Sequence, residues 1–254
     1  MQAQQLLQEI FSKGTVSTSK GETFPVHSSI DTQEGEFLQQ LIATYKPQHT
    51  AEIGCAYGLS SLYICDALQK NSKNPHHTII DPFQKTQWNS VGIDNLQKAS
   101  LTFFDLIEKV SELALPELLG QGKQFDFIFI DGWHTLDHTL LDIFYANRLL
   151  KVGGIMVVDD VVTIRPVNKA MRYFINYPAY KFIGKATMKH SFKRKLYYTV
   201  SEILSFCSYL IPFRKQLFNP MLLQSDRHLN LDASMIAFQK IAEDTRTWNW
   251  YKEF

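Results

Sequence analysis

The chain is short of the features that mark secreted, membrane-spanning or fibrous proteins. Its 254 residues hold three cysteines, Cys55, Cys65 and Cys207, and no two of them form a C-x-x-C pair. An odd count cannot complete a disulfide framework, so the thiols are expected to be reduced and the protein cytoplasmic. No stretch approaches the roughly 20 uninterrupted apolar residues that a spanning helix needs. The opening stretch Met1 to Lys13 is rich in glutamine, contains Glu9 and lacks a basic head before an apolar run. It does not resemble a secretory signal. There is no internal repeat, no low-complexity tract and no clean G-x-G-x-x-G, which argues against a nicotinamide or flavin site. No aromatic-plus-basic module of a recognised kind is present, so no nucleic-acid partner is expected.

What is present suits one folded unit. A composition 45% hydrophobic and 20% charged is ordinary for a chain that buries a core, and the length fits a single α/β domain. The net charge of +1 conceals an asymmetry. Residues 1–164 hold 11 Lys and Arg against 19 Asp and Glu, and residues 165–254 hold 15 against 6. Such a split fits a basic surface for anionic partners, or equally an acidic catalytic half balanced by a basic tail.

Two apolar runs stand out as strands, Phe125 to Asp131 and Gly154 to Val158, the second followed by Asp159-Asp160. Each is nearly continuous in apolar character, as expected of a strand covered by helices on both faces. Thr50 to Gly54 and Thr78 to Asp81 read as shorter strands of the same sheet, and Leu106 to Val110 as a weaker fifth. Helical periodicity falls between them, over Ser60 to Leu68 and from Leu136 to about Lys151, where Gly153-Gly154 supplies the exit turn. A further helix is expected near Asp31 to Tyr45. Alternating strands and helices imply parallel strands joined by right-handed crossovers. The expected fold is a doubly wound, Rossmann-like α/β sheet, mostly parallel. Tyr180 to Gly184 and Ser234 to Phe238 look like a closing strand pair that supplies a terminal antiparallel strand, split by an insertion over 185–231. Inside it Phe192, Leu196, Val200, Ile203, Cys207 and Leu210 fall at helical spacing, next to the basic run Lys193-Arg194-Lys195.

Open α/β sheets bind ligands beyond the carboxyl ends of their strands, so the residues there carry the chemistry. The first strand runs into Glu52-Ile53-Gly54-Cys55-Ala56-Tyr57-Gly58-Leu59-Ser60. Gly54 and Gly58 permit close approach of backbone to a ligand, and Ser60 can cap the next helix or meet a carboxylate. Asp81 ends the second strand, where a carboxylate can accept both hydroxyls of a ribose. Asp131, Asp159 and Asp160 end two strands expected to be neighbours. Three hard oxygen donors in one cleft suit Mg²⁺ or a similar cation, and without one their mutual repulsion would be costly. The bland alternative is that Asp160 caps the following loop and only one acid is functional. His134 can serve as general base toward an acceptor hydroxyl, or be structural, as can His138 one turn later.

The segments Glu52 to Ser60, Ile80-Asp81, Phe127 to His134 and Leu150 to Asp160 together resemble the class I methyltransferases. Within these the chain is similar to metal-dependent O-methyltransferases, the group that includes catechol and macrolide sugar O-methyltransferases. The resemblance covers about residues 28–175 and returns weakly over 232–254. It implies S-adenosylmethionine as cofactor, bound by Glu52, Gly54, Ala56, Tyr57, Gly58 and Ser60 around its amino-acid part. It further implies Asp81 at the ribose, Ser111 at the adenine, and Asp131 and Trp133 close by. The metal ligands would be Asp131, Asp159 and Asp160, and His134 the catalytic base. The expected acceptor is a hydroxyl of a small molecule or sugar. A metal-independent O- or N-methyltransferase, or a catalytically silent methyltransferase fold, stays open. Residues 1–49 are expected to form a helical cap on a methyltransferase domain spanning 50–254. The insertion is expected to be a lid or a homodimer contact, with peripheral membrane contact through 189–215 as a third reading.

Overall fold

A computed structural model of the chain describes residues 2–186, 196, 199, 200, 202, 203 and 224–252. Nearly all of the helix expected over Phe192 to Leu210 therefore lies outside the described residues. Among the described residues, no helix is long and apolar enough to cross a membrane.

The buried apolar runs form a seven-stranded sheet. Its strands are β3 (His49–Ile53), β4 (His76–Ile80), β5 (Phe104–Ile107), β6 (Phe125–Ile130), β7 (Leu150–Val158), β8 (Tyr180–Lys185) and β9 (Ile236–Lys240), in the order β5-β4-β3-β6-β7-β9-β8. From β5 through β7 the neighbours are parallel, and β9 runs antiparallel to both β7 and β8. The antiparallel strand, last in the chain, thus sits one place in from the edge. The order reverses between β3 and β6, the place where crossovers leave on opposite faces and open a crevice at the strand ends.

Strand β6 shows why the sheet is covered on both faces. Phe127 and Phe129 point into one apolar layer, shared with Leu38, Ile42 and Leu62, while Ile128 and Ile130 point into another, shared with Ile143, Ala146 and Phe174. The first layer is closed by α1 (Ala3–Lys13), α2 (Thr32–Tyr45), α3 (Leu59–Asn71) and α4 (Val91–Lys98). The second is closed by α5 (Ser111–Gly120), α6 (Leu136–Leu149) and α7 (Arg165–Phe174). Asp126, the acid inside β6, staples three strand starts. It accepts from the Gln48 and His49 amides at 3.1 and 2.9 Å and from Lys151 Nζ at 2.8 Å.

The N-terminal segment shares the first layer. Helix α1 packs on α3, and a short antiparallel pair, β1 (Thr15–Ser17) and β2 (Thr23–Pro25), stands within the segment expected to form only a helical cap. Asp31 caps α2 through a capping box with Glu34, the reciprocal contacts being 2.9 and 2.7 Å. Behind that cap, Gly35 lies so close to α3 that a Cβ would sit 2.3 Å from the Tyr63 ring.

Two expected boundaries move. Strand β5 occupies Phe104–Ile107, and Glu108 to Val110, expected in the strand, lead into α5 instead. There the Lys109 amide folds back to the Ile107 carbonyl and Glu108 pairs with Lys85. Gly153-Gly154 does not end a helix either. Helix α6 stops at Leu149, Leu150 already pairs with Phe125, and the glycines lie in an irregularity before Ile155 takes up the register. Gly153 has φ of +91°, which a glycine adopts without a Cβ penalty.

Because Gly35 is the close contact between α2 and α3, Gly35→Ala is expected to lower stability by about 1–3 kcal/mol, the usual cost of overpacking. Urea unfolding followed by circular dichroism reads it out. An unchanged midpoint would mean that Tyr63 moves aside freely.

Candidate active site

A cavity of about 720 Å³ opens at the carboxyl ends of β3, β4, β6 and β7. The turn after β3 forms its floor. Gly54 has φ of +89°, and a Cβ there would lie 2.0 Å from the Asp131 carbonyl oxygen, so only glycine lets β3 and β6 finish side by side. Ala56, Tyr57 and Ser60 line the cavity as expected, as do Ser111, Asp131, Trp133 and His134.

Asp81 lines it too, but its carboxylate already organises the turn. Oδ2 accepts from the Cys55 and Ala56 amides at 3.0 and 2.9 Å and from Gln84 Nε2 at 3.1 Å, while Oδ1 accepts from the Phe83 amide at 2.8 Å. It couples the end of β4 to the glycine turn while forming part of the wall.

Two expected cofactor contacts are not brought to the cavity. Successive residues of a strand face opposite sides of a sheet. Ile53 lines the cavity, so Glu52 points the other way, fully buried. It accepts from the Ser61 hydroxyl and lies 3.4 Å from His77 Nε2, whose Nδ1 is 2.8 Å from Thr50 Oγ1. Gly58 lies at the start of α3, where a Cβ would meet the Gly92 carbonyl at 2.7 Å. Its role is to let α3 and α4 approach.

The acids at the ends of β6 and β7 regroup around the histidine. His134 Nε2 is 3.2 Å from Asp131 Oδ1 and 3.3 Å from Asp160 Oδ2. Asp131, His134 and Asp160 each offer one donor atom within 4.8 Å of the others, a group suited to a metal ion. Asp160 adopts φ of +59°, an uncommon but tolerated conformation for aspartate that turns its side chain toward the cluster. Asp159, expected as the third ligand, stands behind. Its Oδ1 accepts from the Asp160 amide at 2.7 Å and from Ser234 Oγ at 3.2 Å. Burial pushes Asp131 up to about 6, against the opposing pull of His134, and raises Asp159 well above the usual carboxylate range. The hydrogen bond that its ring N–H donates to Asp131 raises the pKa of His134.

Other wall residues escaped the sequence reading. Ser28, Ser29, Ile30 and Glu34 close the cavity from the N-terminal segment, and Phe83 and Trp88 from the loop after β4. The D-x-x-E spacing of Asp31 and Glu34 signals a helix start, but nothing in it says that the helix start faces a cleft. Ser234 also hydrogen-bonds Glu34. One hydroxyl proton cannot serve both Glu34 and Asp159, so the pair is best satisfied with one carboxyl protonated, consistent with the raised pKa of each.

Residues 51–161 match the sequence model of a family described as a methyltransferase domain. This stretch resembles a methyltransferase domain. The chain is 30% identical to caffeoyl-CoA O-methyltransferase 1 of Eucalyptus globulus over 153 residues, covering 57% of this chain and 58% of that protein. It is 28% identical to the catechol O-methyltransferase of Niastella koreensis over 136 residues, 53% of this chain and 58% of that one. It thus spans just under six-tenths of the length of these curated relatives. Among solved structures, an O-methyltransferase from Bacillus cereus superposes with a TM-score of 0.57 at 18% identity, covering 71% of this chain and 81% of that one. The O-methyltransferase TomG from Streptomyces achromogenes gives 0.56 at 17%, covering 71% and 80%. The domain therefore has the Rossmann-like methyltransferase fold that its motifs led us to expect.

Beside the cavity, Asp142 on α6 is buried against Gly132, with Ser111 bonded to it and Oδ1 without a partner. Burial pushes it to about 7 from an ordinary value of 3.8. Between these values the unfolded chain has lost the proton that the fold retains, so this group subtracts stability as pH rises toward 7. Asp142→Asn lacks that loss. Its melting temperature is expected to gain on the parent's between pH 5 and 8, as scanning calorimetry would show. A constant gap across that range would refute the assignment.

Proposed function

We propose that the chain is an S-adenosylmethionine-dependent O-methyltransferase assisted by a divalent cation and acting on a hydroxyl of a small molecule or sugar. The observation that carries it is the convergence of Asp131, His134 and Asp160 within one cavity of a methyltransferase domain. The walls fit both groups. The backbone at Gly54 is bare, Ser60 and Asp81 offer polar contacts, and Phe83 and Trp133, with centroids 6.2 Å apart, offer aromatic surface to a base. The carboxylates are the hard donors that Mg²⁺ or Mn²⁺ takes.

When bound, the cofactor supplies an electrophilic methyl group, and the cation lowers the pKa of a hydroxyl beside it. The protein supplies position and proton transfer. Asp131 and Asp160 would hold the cation from two strand ends, with Asp159 orienting the Asp160 backbone beneath them. His134 stands within hydrogen-bond distance of both acids. The bond to Asp131 favours the protonated imidazole. Committing that carboxylate elsewhere releases Nε2 to accept the acceptor's proton. Ser28, Ser29 and Ile30 line the same cavity from the N-terminal segment. A homodimer and a cytoplasmic location complete the proposal.

Two measurements test this reading. Calorimetric titration with S-adenosylhomocysteine should show Asp81→Ala weakened by about 1.5–3 kcal/mol, and unchanged affinity would remove Asp81 from the cofactor site. Turnover of a catechol should stop in excess chelator and return with Mg²⁺. His134→Ala should slow the chemical step roughly 10²–10⁴-fold while Mn²⁺ binding, read by electron paramagnetic resonance, persists. Full activity in excess chelator, with no metal retained, would eliminate the cation.

A further inference from the structure

We propose that this cavity selects its acceptor by charge through Glu34, preferring a cationic hydroxyl compound, tolerating a neutral one and rejecting an anionic one. The inference rests on the methyl-transfer reading and specifies the acceptor for that same cavity. The walls carry six carboxylates, Glu34, Asp81, Glu112, Asp131, Asp159 and Asp160, and no lysine or arginine among the described lining residues. A divalent cation, a sulfonium and a protonated His134 together bring four positive charges, fewer than the five negative ones that remain when the deeper Asp159 holds the proton of its pair with Glu34. A concave site with low-dielectric walls focuses such an imbalance on whatever enters it. A carboxylate or phosphate on the acceptor would therefore enter against the field, and an ammonium with it.

Glu34 is the carboxylate placed to read that difference. Asp81 is wrapped by backbone amides, and Asp131 and Asp160 converge with His134. Glu34 instead lines the cavity from the first turn of α2, within electrostatic reach of Asp160. Its position is rigid, because Oε2 accepts from the Asp31 amide at 2.7 Å and Ser234 ties it toward Asp159. The capping box accounts for its place in the helix, but not for its place on the cavity wall.

Aromatic surface lines the same cavity. Tyr57 and Trp88 line the cavity with ring centroids 5.1 Å apart, and the Tyr57 hydroxyl meets His27 Nε2 at 2.9 Å, joining the N-terminal segment to the glycine turn. An ammonium group finds both carboxylates and π-faces in this cavity, and a carboxylate finds no lysine or arginine among the described lining residues to meet it.

The test uses the full chain loaded with S-adenosylhomocysteine and Mg²⁺, titrated calorimetrically with three dihydroxybenzenes of different side-chain charge. Dopamine is the cation, 4-methylcatechol is neutral and 3,4-dihydroxybenzoate is the anion. Dopamine is expected to bind about tenfold or more tighter than the benzoate, with 4-methylcatechol between, the scale of one charge-assisted contact. Glu34→Gln preserves the capping box, since glutamine serves at that position, and is expected to bring the dopamine-to-benzoate ratio close to one. Its affinity for S-adenosylhomocysteine should stay within about twofold, because Glu34 is bonded to Asp31 and Ser234 and makes no contact with the Gly54 turn or Asp81. Equal affinities, tighter binding of the benzoate, a ratio unmoved by Glu34→Gln, or no binding of any of the three would overturn the inference alone. Loss of S-adenosylhomocysteine binding by the parent chain would overturn the methyl-transfer reading and this inference with it.

Discussion

The site depends on a hydrogen-bond ladder that continues one residue past the apolar part of each central strand. The Gly54 amide donates to the Ile80 carbonyl, Asp131 to Ile53 and Asp159 to Ile130, at 2.9, 2.9 and 3.0 Å. These bonds hold the first polar residue after each strand in one row across the reversal of strand order. Burial of the strands drives sheet formation, and the row of acids is carried along by it. Gly54 is the narrow point in this arrangement, because any side chain there would occupy the space of the Asp131 carbonyl.

Placing carboxylates in such a row is costly, and their surroundings show how the cost is distributed. Asp81 is compensated by three backbone amides and the Gln84 side chain. Asp131 and Asp160 share His134, and Asp159 shares the Ser234 hydroxyl with Glu34. The first arrangement is fully satisfied and rigid. The others leave raised pKa values at Asp131, Asp159 and Glu34 and unspent acceptor capacity, which is the electrostatic condition for taking up a cation or a proton. The acids of the row thus differ in how many donors surround them rather than in residue type.

The fold was largely legible because its signals are local. Continuous apolar runs at Phe125 to Ile130 and Ile155 to Val158, glycines after β3 and the capping spacing at Asp31 each act over a few residues. The misplaced elements are those where a longer-range contact decides. Glu108 leaves the expected strand to pair with Lys85, and the Gly153-Gly154 pair is absorbed into an irregularity of β7 because Leu150 pairs with Phe125. Among the site residues, Asp81, Asp131, Asp160, His134, Ser111 and Trp133 reach the cavity as their strand-end positions suggested. Glu52 and Gly58 do not, the one because strand alternation turns it to the other face, the other because it serves helix packing.

The sequence by itself determined the alternation of strands and helices, the parallel sheet that follows from it, and the set of polar residues standing at strand ends. Those features follow from periodicity and chain connectivity, which a linear pattern contains. Tertiary structure alone decided that His134 rather than Asp159 completes the close cluster, that Asp81 binds the turn it borders, and that Glu34 lines the same cavity from a helix outside the matched domain. Each of these joins atoms far apart in the chain or sets the direction of one side chain within a crowded space. Such outcomes depend on which neighbours compete for the same donor and on where the packed layers leave room.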